Sequence, residues 1–329
     1  MILPYNEYDK IILAFSGGKD SLAALLQLLR SGADPNKIEL WHHCIDGRDN
    51  YDKQFFDWKS TNGYIRAIAK QFGVKICWSW RDGGMYREMH RNNQLTGDVY
   101  YKYDDEEIIH HLPTKGGKLS TRRKFPAKSV DLNKRWCSAY LKIDVCRRVI
   151  AHVFPNDKNH KILFISGERR EESANRAKYN EFEFHTTSRG KRIVHHHRLV
   201  IDWSEKQIWD IIKEYGVLPH PAYYMGFPRL SCRSCVFFTA DLFATLGEVQ
   251  PEAIDVIEAV EEDFNFTLDN KHKIRQLVAI GKSRVNETNK IWIPSLINEW
   301  GDKPIIVKSD EWVLPQGAFT GGVGCGGAI

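Results

Sequence analysis

An α/β fold, with a parallel sheet of about five strands, helices on both faces and a mostly helical C-terminal extension, is what this sequence predicts. Three observations lead there. Strand and helix patterns alternate as βαβαβ over the first eighty or so residues. The strand segments are nearly unbroken apolar runs, as strands buried on both faces require. The connections between them are short. Ile11 to Phe15 is the first strand, and Ser21 to Arg30 a helix of strong helix formers that Gly32 can end. Ile38 to Ile45 reads as the second strand, the stretch from about Phe55 to Phe72 as a helix closed by Gly73, and Val74 to Trp80 as the third strand. A segment of roughly 81–135, poor in apolar periodicity, reads as a long basic insertion. Residues 138–153 look helical, Lys161 to Ser166 is a fourth strand and Ile193 to Ile201 a fifth. Trp203 to Tyr215 is a helix with Ser204 placed to cap it, and 247–287 is helical again. In strand five His195 and His197 share a face and are expected half-exposed.

Composition narrows the class. With 329 residues, 42% of them hydrophobic, and seven cysteines, the chain is too large and too apolar for a disulfide-stapled mini-protein or a disordered tail. The net charge of +5 is too small to imply a nucleic-acid partner by itself. No apolar stretch reaches membrane-spanning length, and the opening MILPYNEYDK lacks the pattern of a secretory signal. A cytoplasmic protein with reduced thiols and no membrane partner is the expectation.

Ser16-Gly17-Gly18-Lys19-Asp20-Ser21 joins the first strand to the first helix. Two glycines let backbone N–H groups turn toward an anion without Cβ interference, and the helix N-terminus behind them adds partial positive charge. Lys19 brings a full positive charge, and Ser16 and Ser21 bring hydroxyls. Asp20 beside a polyphosphate is repulsive unless a cation lies between them, so it is expected to hold Mg²⁺. The spacing is not that of the G-x-x-x-x-G-K-[ST] mononucleotide loop. It resembles instead the PP-loop of the ATP pyrophosphatase superfamily, whose SGGKDS pattern stands here unchanged.

Further segments resemble the PAPS-reductase-like (phosphoadenosine phosphosulfate reductase) branch of that superfamily. They are Trp136-Cys137-Ser138 through Ile143, Gly167-Glu168-Arg169-Arg170-Glu171-Glu172-Ser173 with Arg176, Asp202-Trp203-Ser204 with Ile208-Trp209, His220-Pro221-x-Tyr223, and Gly226 through Cys232-x-x-Cys235. The resemblance covers residues 10–236 and implies a Rossmann-like, adenine nucleotide α-hydrolase-like domain over 1–236, with 237–329 as a helical extension and Gly-rich tail. It implies ATP and Mg²⁺ as ligands, with Ser16 to Ser21, Gly167, Glu172 and Arg176 binding ATP. Lys19, Asp20, Arg169 and Arg170 would be catalytic, the arginines facing the phosphates at the carboxyl ends of the strands, and Glu172 would orient one of them.

The intact glycine loop favours an ATP pyrophosphatase that adenylylates an acceptor for sulfur insertion, similar to DNA phosphorothioation proteins, with tRNA thiolation second and a cysteine desulfurase as the implied sulfur donor. A sulfonucleotide reductase using Cys325, or a sulfate adenylyltransferase-like enzyme, is the alternative. Cys232-x-x-Cys235 can hold a metal but does not complete a site; Cys137 is the best third ligand, which would give a [4Fe–4S] cluster with one open iron. A redox pair, a zinc site with Cys146 or His220, and inert thiols stay open, while Cys44 and Cys77 belong in the core. Between Lys115 and Arg148 basic residues crowd together behind Tyr100, Tyr101 and Tyr103, and Lys118, Arg122, Arg123 and Lys124 are the expected nucleic-acid contacts. Whether the chain forms a homodimer is open.

Overall fold

The computed structural model describes residues 2–48, 56–230 and 232–320. In chain order the first elements are β1 (Lys10–Ala14), α1 (Lys19–Arg30), β2 (Ile38–Cys44), α2 (Lys59–Phe72), β3 (Lys75–Arg81), α3 (Gly84–His90), β4 (Val99–Tyr103) and β5 (His110–Leu112). Then come α4 (Trp136–Ser138), α5 (Asp144–Val153), β6 (His160–Ile165), β7 (Phe182–Phe184), β8 (Arg192–His197), α6 (Glu205–Glu214) and α7 (Pro221–Tyr224). The C-terminal part carries α8 (Ala240–Val249), α9 (Pro251–Phe264), α10 (Ile274–Ile280) and α11 (Ile293–Ile297).

The strands form one eight-stranded sheet in the order β5-β4-β3-β2-β1-β6-β8-β7. The five strands expected from the apolar runs, β3, β2, β1, β6 and β8, are parallel to one another. Antiparallel β4 and β5 extend one edge and β7 the other. Within β1, Ile11 and Leu13 enter a core with α1, α2 and α6, whereas Ile12 and Ala14 enter a second core with Val145, Val149 and Ile150 of α5. That two-sided burial is why the strand is apolar without alternation.

Three expectations need correction. The 81–135 segment is not all loop: it supplies α3, β4 and β5, and the buried positions Val99 and Tyr101 of β4 join the second core. The helical stretch 247–287 is three helices. Pro251 opens α9 at a first-turn position, and Asn265, in the left-handed region, ends it. His195, His196 and His197 are all buried: Tyr8, Phe182 and Phe184 pack on His195, and Phe164 and His185 on His196.

The final described segment returns to the sheet domain. Ile306 bridges Val217, the Trp312 indole N–H donates to the Val217 carbonyl at 2.8 Å, and the Gly317 N–H donates to the Tyr223 carbonyl at 2.8 Å. This strap lies across α6 and α7, the elements that back the glycine loop.

Candidate nucleotide site

β1 ends at Ala14, and the chain turns through Ser16 and Gly17 into α1, with Gly17 at φ +78°, a conformation that suits glycine. Gly18 is the N-cap of α1. Its N–H donates to Ser16 Oγ at 3.3 Å, and Ser21 Oγ donates back to its carbonyl at 2.9 Å. Tyr223, buried in α7, presents its hydroxyl to the loop and accepts from the Lys19 N–H at 2.8 Å and the Leu230 N–H at 3.1 Å. So the His220-Pro221-x-Tyr223 segment anchors the loop from behind. His220 itself is spent locally, Nδ1 accepting from the Ala222 N–H and Nε2 lying 3.0 Å from Ser60 Oγ.

The charges converge on Asp20. Arg169 Nε donates to Asp20 Oδ1 at 2.6 Å, and Lys19 Nζ donates to Oδ2 at 3.2 Å. Burial works against the Asp20 charge, yet Lys19 and Arg169 outweigh it and hold the carboxyl below its ordinary value. By the same balance Lys19, buried and beside Asp20, Tyr223 and Glu205, is raised. Glu205, the first residue of α6, lies 3.9 Å from Lys19 Nζ, and Glu171 accepts from Arg169 Nη1 at 2.5 Å. Sequence reasoning missed Glu205 and Glu171; only the position of Glu205 just after the Ser204 cap could have pointed to it. That cap forms as expected, Ser204 Oγ accepting from the Gln207 N–H at 3.3 Å and Gln207 Oε1 from the Ser204 N–H at 2.8 Å.

Gly167 follows β6 at the same sheet edge. A Cβ there would lie 2.7 Å from the Asp20 carbonyl carbon and 2.8 Å from both Asp20 O and Ser21 N, so the β6 end and the start of α1 touch backbone to backbone. Glu172 accepts from the Arg169 N–H at 2.9 Å and from the Arg176 guanidinium, so it fixes the Arg169 backbone and the Arg176 head. Arg170 departs from expectation. Its guanidinium bonds Asp202 and, at 2.9 Å, the Tyr179 carbonyl, so those groups draw it away from the expected phosphate position.

A small cleft of about 60 Å³ opens beside Ser16, lined by Phe15, His42, His43, Asp57, Trp58 and Lys142 among others. Desolvation pushes His42 down to about 4 and His43 to about 3, so both present neutral rings. Cys232 lines the same cleft, its thiol pushed well up by burial.

The cysteine expectations fare unevenly. Cys44 and Cys77 are buried in the cores as foreseen. Cys137 and Cys232 both pack against the core that contains α1, and the Cys235 N–H donates to the Cys232 carbonyl in a tight turn. Among the described residues, however, no three His, Cys, Asp or Glu side chains group so that they could hold a metal ion, so Cys137, Cys232 and Cys235 do not form a ready cluster site. Cys146 packs on the opposite face of the sheet, in the core that contains α5, which removes it from a zinc set with Cys232. Cys325 lies outside the described residues. Of the expected nucleic-acid contacts, Lys118 and Lys124 are exposed. Arg122 is stacked over Trp136 at 4.0 Å and paired with buried Glu88, and Arg123 is paired with Asp263 of α9.

Adenosine 5'-phosphosulfate reductase of Burkholderia cepacia is 29% identical over 33% of this chain and 38% of its own. An uncharacterized 37.8 kDa protein of Escherichia phage 186 is 28% identical over 36% of this chain and 35% of its own. The chain thus spans well under half the length of these relatives. Among solved structures, FMN adenylyltransferase of Candida glabrata aligns with 94% of this chain and 81% of its own at 11% identity and a TM-score of 0.39. No helix among the described residues is long and apolar enough to cross a membrane. Residues 10–237, from the start of β1 to just past the cysteine pair, match the phosphoadenosine phosphosulfate reductase domain, and the chain belongs to that family.

Proposed function

We propose that the protein is an adenine-nucleotide-using enzyme that binds ATP with its triphosphate on Ser16 to Ser21 and its nucleoside in the adjoining cleft. The observation that carries this reading is the glycine loop at the tip of β1, where buried Lys19 and Arg169 flank Asp20 at the N-terminus of α1. An acceptor oxygen attacks the α-phosphorus, the bond to the β-phosphate oxygen breaks, and pyrophosphate leaves with the adenylyl group on the acceptor. Lys19, Arg169 and the helix N-terminus stabilise the departing charge. Arg176 and Gly167 act through the loop, Arg176 via Glu172 and Gly167 by admitting α1 against β6. Asp20 would hold Mg²⁺ together with phosphate oxygens, since one carboxylate is a common protein contribution to such a site; the ion would neutralise phosphate charge. A sulfur nucleophile then displaces AMP from the acceptor, which we take to be nucleic acid, with a cysteine desulfurase upstream.

Lys19→Ala is expected to lower pyrophosphate release from ATP by at least about 100-fold. Unchanged release would overturn the reading. The similarity to an adenosine 5'-phosphosulfate reductase favours a second one, reduction of a sulfonucleotide with Cys325 as nucleophile. Full loss of activity in Cys325→Ser, with no pyrophosphate formed from ATP, would favour it over the first.

A further inference from the structure

Away from the nucleotide cleft, α5 presents Asp144, Arg147, Arg148 and Ala151 along one helical face, at the spacing i, i+3, i+4, i+7. Across from them stand Thr186, Thr187, Ser188 and Arg189 of the β7–β8 connection and Arg192 at the start of β8. Together they line an open groove of about 400 Å³. The groove shares no lining residue with the nucleotide cleft.

Four guanidinium groups, those of Arg147, Arg148, Arg189 and Arg192, line this groove beside one carboxylate, Asp144. Arg148 donates to the carbonyls of Leu112 and Pro113 at 2.7 and 2.9 Å, and Arg192 to those of Thr187 and Phe154 at 2.9 and 2.5 Å. Carbonyl oxygens hold these heads in place without removing their charge. Arg147 and Arg189 are exposed, and among the described residues neither side chain makes an ion pair or hydrogen bond. Of the carboxylates nearby, Asp144 is engaged by fully buried Arg81 and Glu183 by Arg198, while Asp144 and Asp98 also act on Arg148, which leaves Arg147 and Arg189 as the uncancelled pair. The field reaches His185, which burial first, and then Arg147, Arg198 and Arg192, push down to about 4.

We propose that this groove binds the phosphodiester backbone of a nucleic acid. A single small anion would gain little from two exposed arginines on different elements. Successive phosphates of a polymer engage them all, and each neutralised phosphate releases a condensed counterion. The face of α5 from residue 144 to 151 spans roughly 10 Å, enough for more than one phosphate contact. Arginine suits the task because its planar fork grips two phosphate oxygens. The hydroxyl of exposed Thr186 adds a donor. Such contacts position a strand without reading its sequence. The proposal deepens the reading of nucleic acid as acceptor, but it stands on the groove and is tested without ATP.

The test is fluorescence anisotropy of the full chain with labelled single-stranded and duplex DNA and RNA of mixed sequence across a salt series. Arg147→Glu/Arg189→Glu is the variant, since both side chains are exposed and bear no structural contacts. Binding is expected to weaken by about tenfold or more, with a log–log salt slope shallower by about 2. Lys19→Ala should bind the oligonucleotides as the unaltered protein does. Equal affinity and slope in the double variant would overturn the proposal. So would displacement of no oligonucleotide, with sedimentation on anionic phospholipid vesicles that the double variant loses. If the groove binds DNA or RNA but Lys19→Ala still releases pyrophosphate, the nucleotide reading fails and this one survives.

Discussion

Tyr223 shows what a single side chain decides here. Its hydroxyl accepts from two backbone N–H groups, those of Lys19 and Leu230, in a place without water access. Tyr223→Phe keeps the ring and removes only the acceptor, leaving two buried donors unmet. It is expected to cost about 1–3 kcal/mol, read as a lower urea midpoint at unchanged m. A midpoint within error of the unaltered protein would show that the loop does not depend on this anchor. The motif around Tyr223 was legible, but the task of its hydroxyl was not, because spacing does not tell which distant backbone a side chain will meet. The same holds for Arg170, which stands beside Arg169 in sequence and points to Asp202 in space.

At the scale of elements, β6 and α1 meet through Gly167. The atoms nearest a hypothetical Cβ are backbone, at 2.7–2.8 Å, and cannot swing aside as a side-chain tip can. Gly167→Ala should therefore push the start of α1 away from β6 and weaken ATP binding by at least about tenfold, roughly 1.4 kcal/mol. Calorimetric titration checks the affinity, and an unaltered far-UV circular dichroism spectrum separates this from unfolding. Retained affinity would mean that the contact plays no part in shaping the loop. The parallel strands and α1, α2, α5 and α6 could be read in the sequence because burial on two faces, or a helical stripe, leaves a strong pattern. β4, β5 and β7 could not. They are short antiparallel strands, β5 and β7 at the two sheet edges and β4 next to one, whose apolar residues (Val99 and Tyr101, Leu112, Phe182 and Phe184) are too few for a run, so their pairing comes from the neighbouring strand rather than from their own composition.

On the scale of the whole molecule, the C-terminal extension is not an appendage to the sheet domain. Its last described segment pins Val217 and Tyr223, and the Phe319 N–H donates to Glu205, the carboxylate nearest Lys19 after Asp20. The basic insertion is likewise tied to α9 by Arg123 and Asp263. Parts that looked separable in sequence thus share one frame, and charges that looked available for a partner are partly used inside it.

That frame encloses histidines as well as hydrocarbons. His42, His43, His185, His196 and His220 sit where desolvation depresses their values to about 4, 3, 4, 2 and 3. Released by unfolding, each would take up a proton near pH 6.5, which the native state refuses until far lower. Protons are therefore bound preferentially by the unfolded chain, and stability is whole above pH 6.5 and drains away as the solution is acidified toward those native values. Each ring adds up to about 1.4 kcal/mol per pH unit within that window. Urea midpoints at pH 7.5, 6 and 5 should fall in that order, and a flat profile would refute it. Mild acid is thus a hazard for this fold through its buried rings, at a pH well above the ordinary carboxylate range.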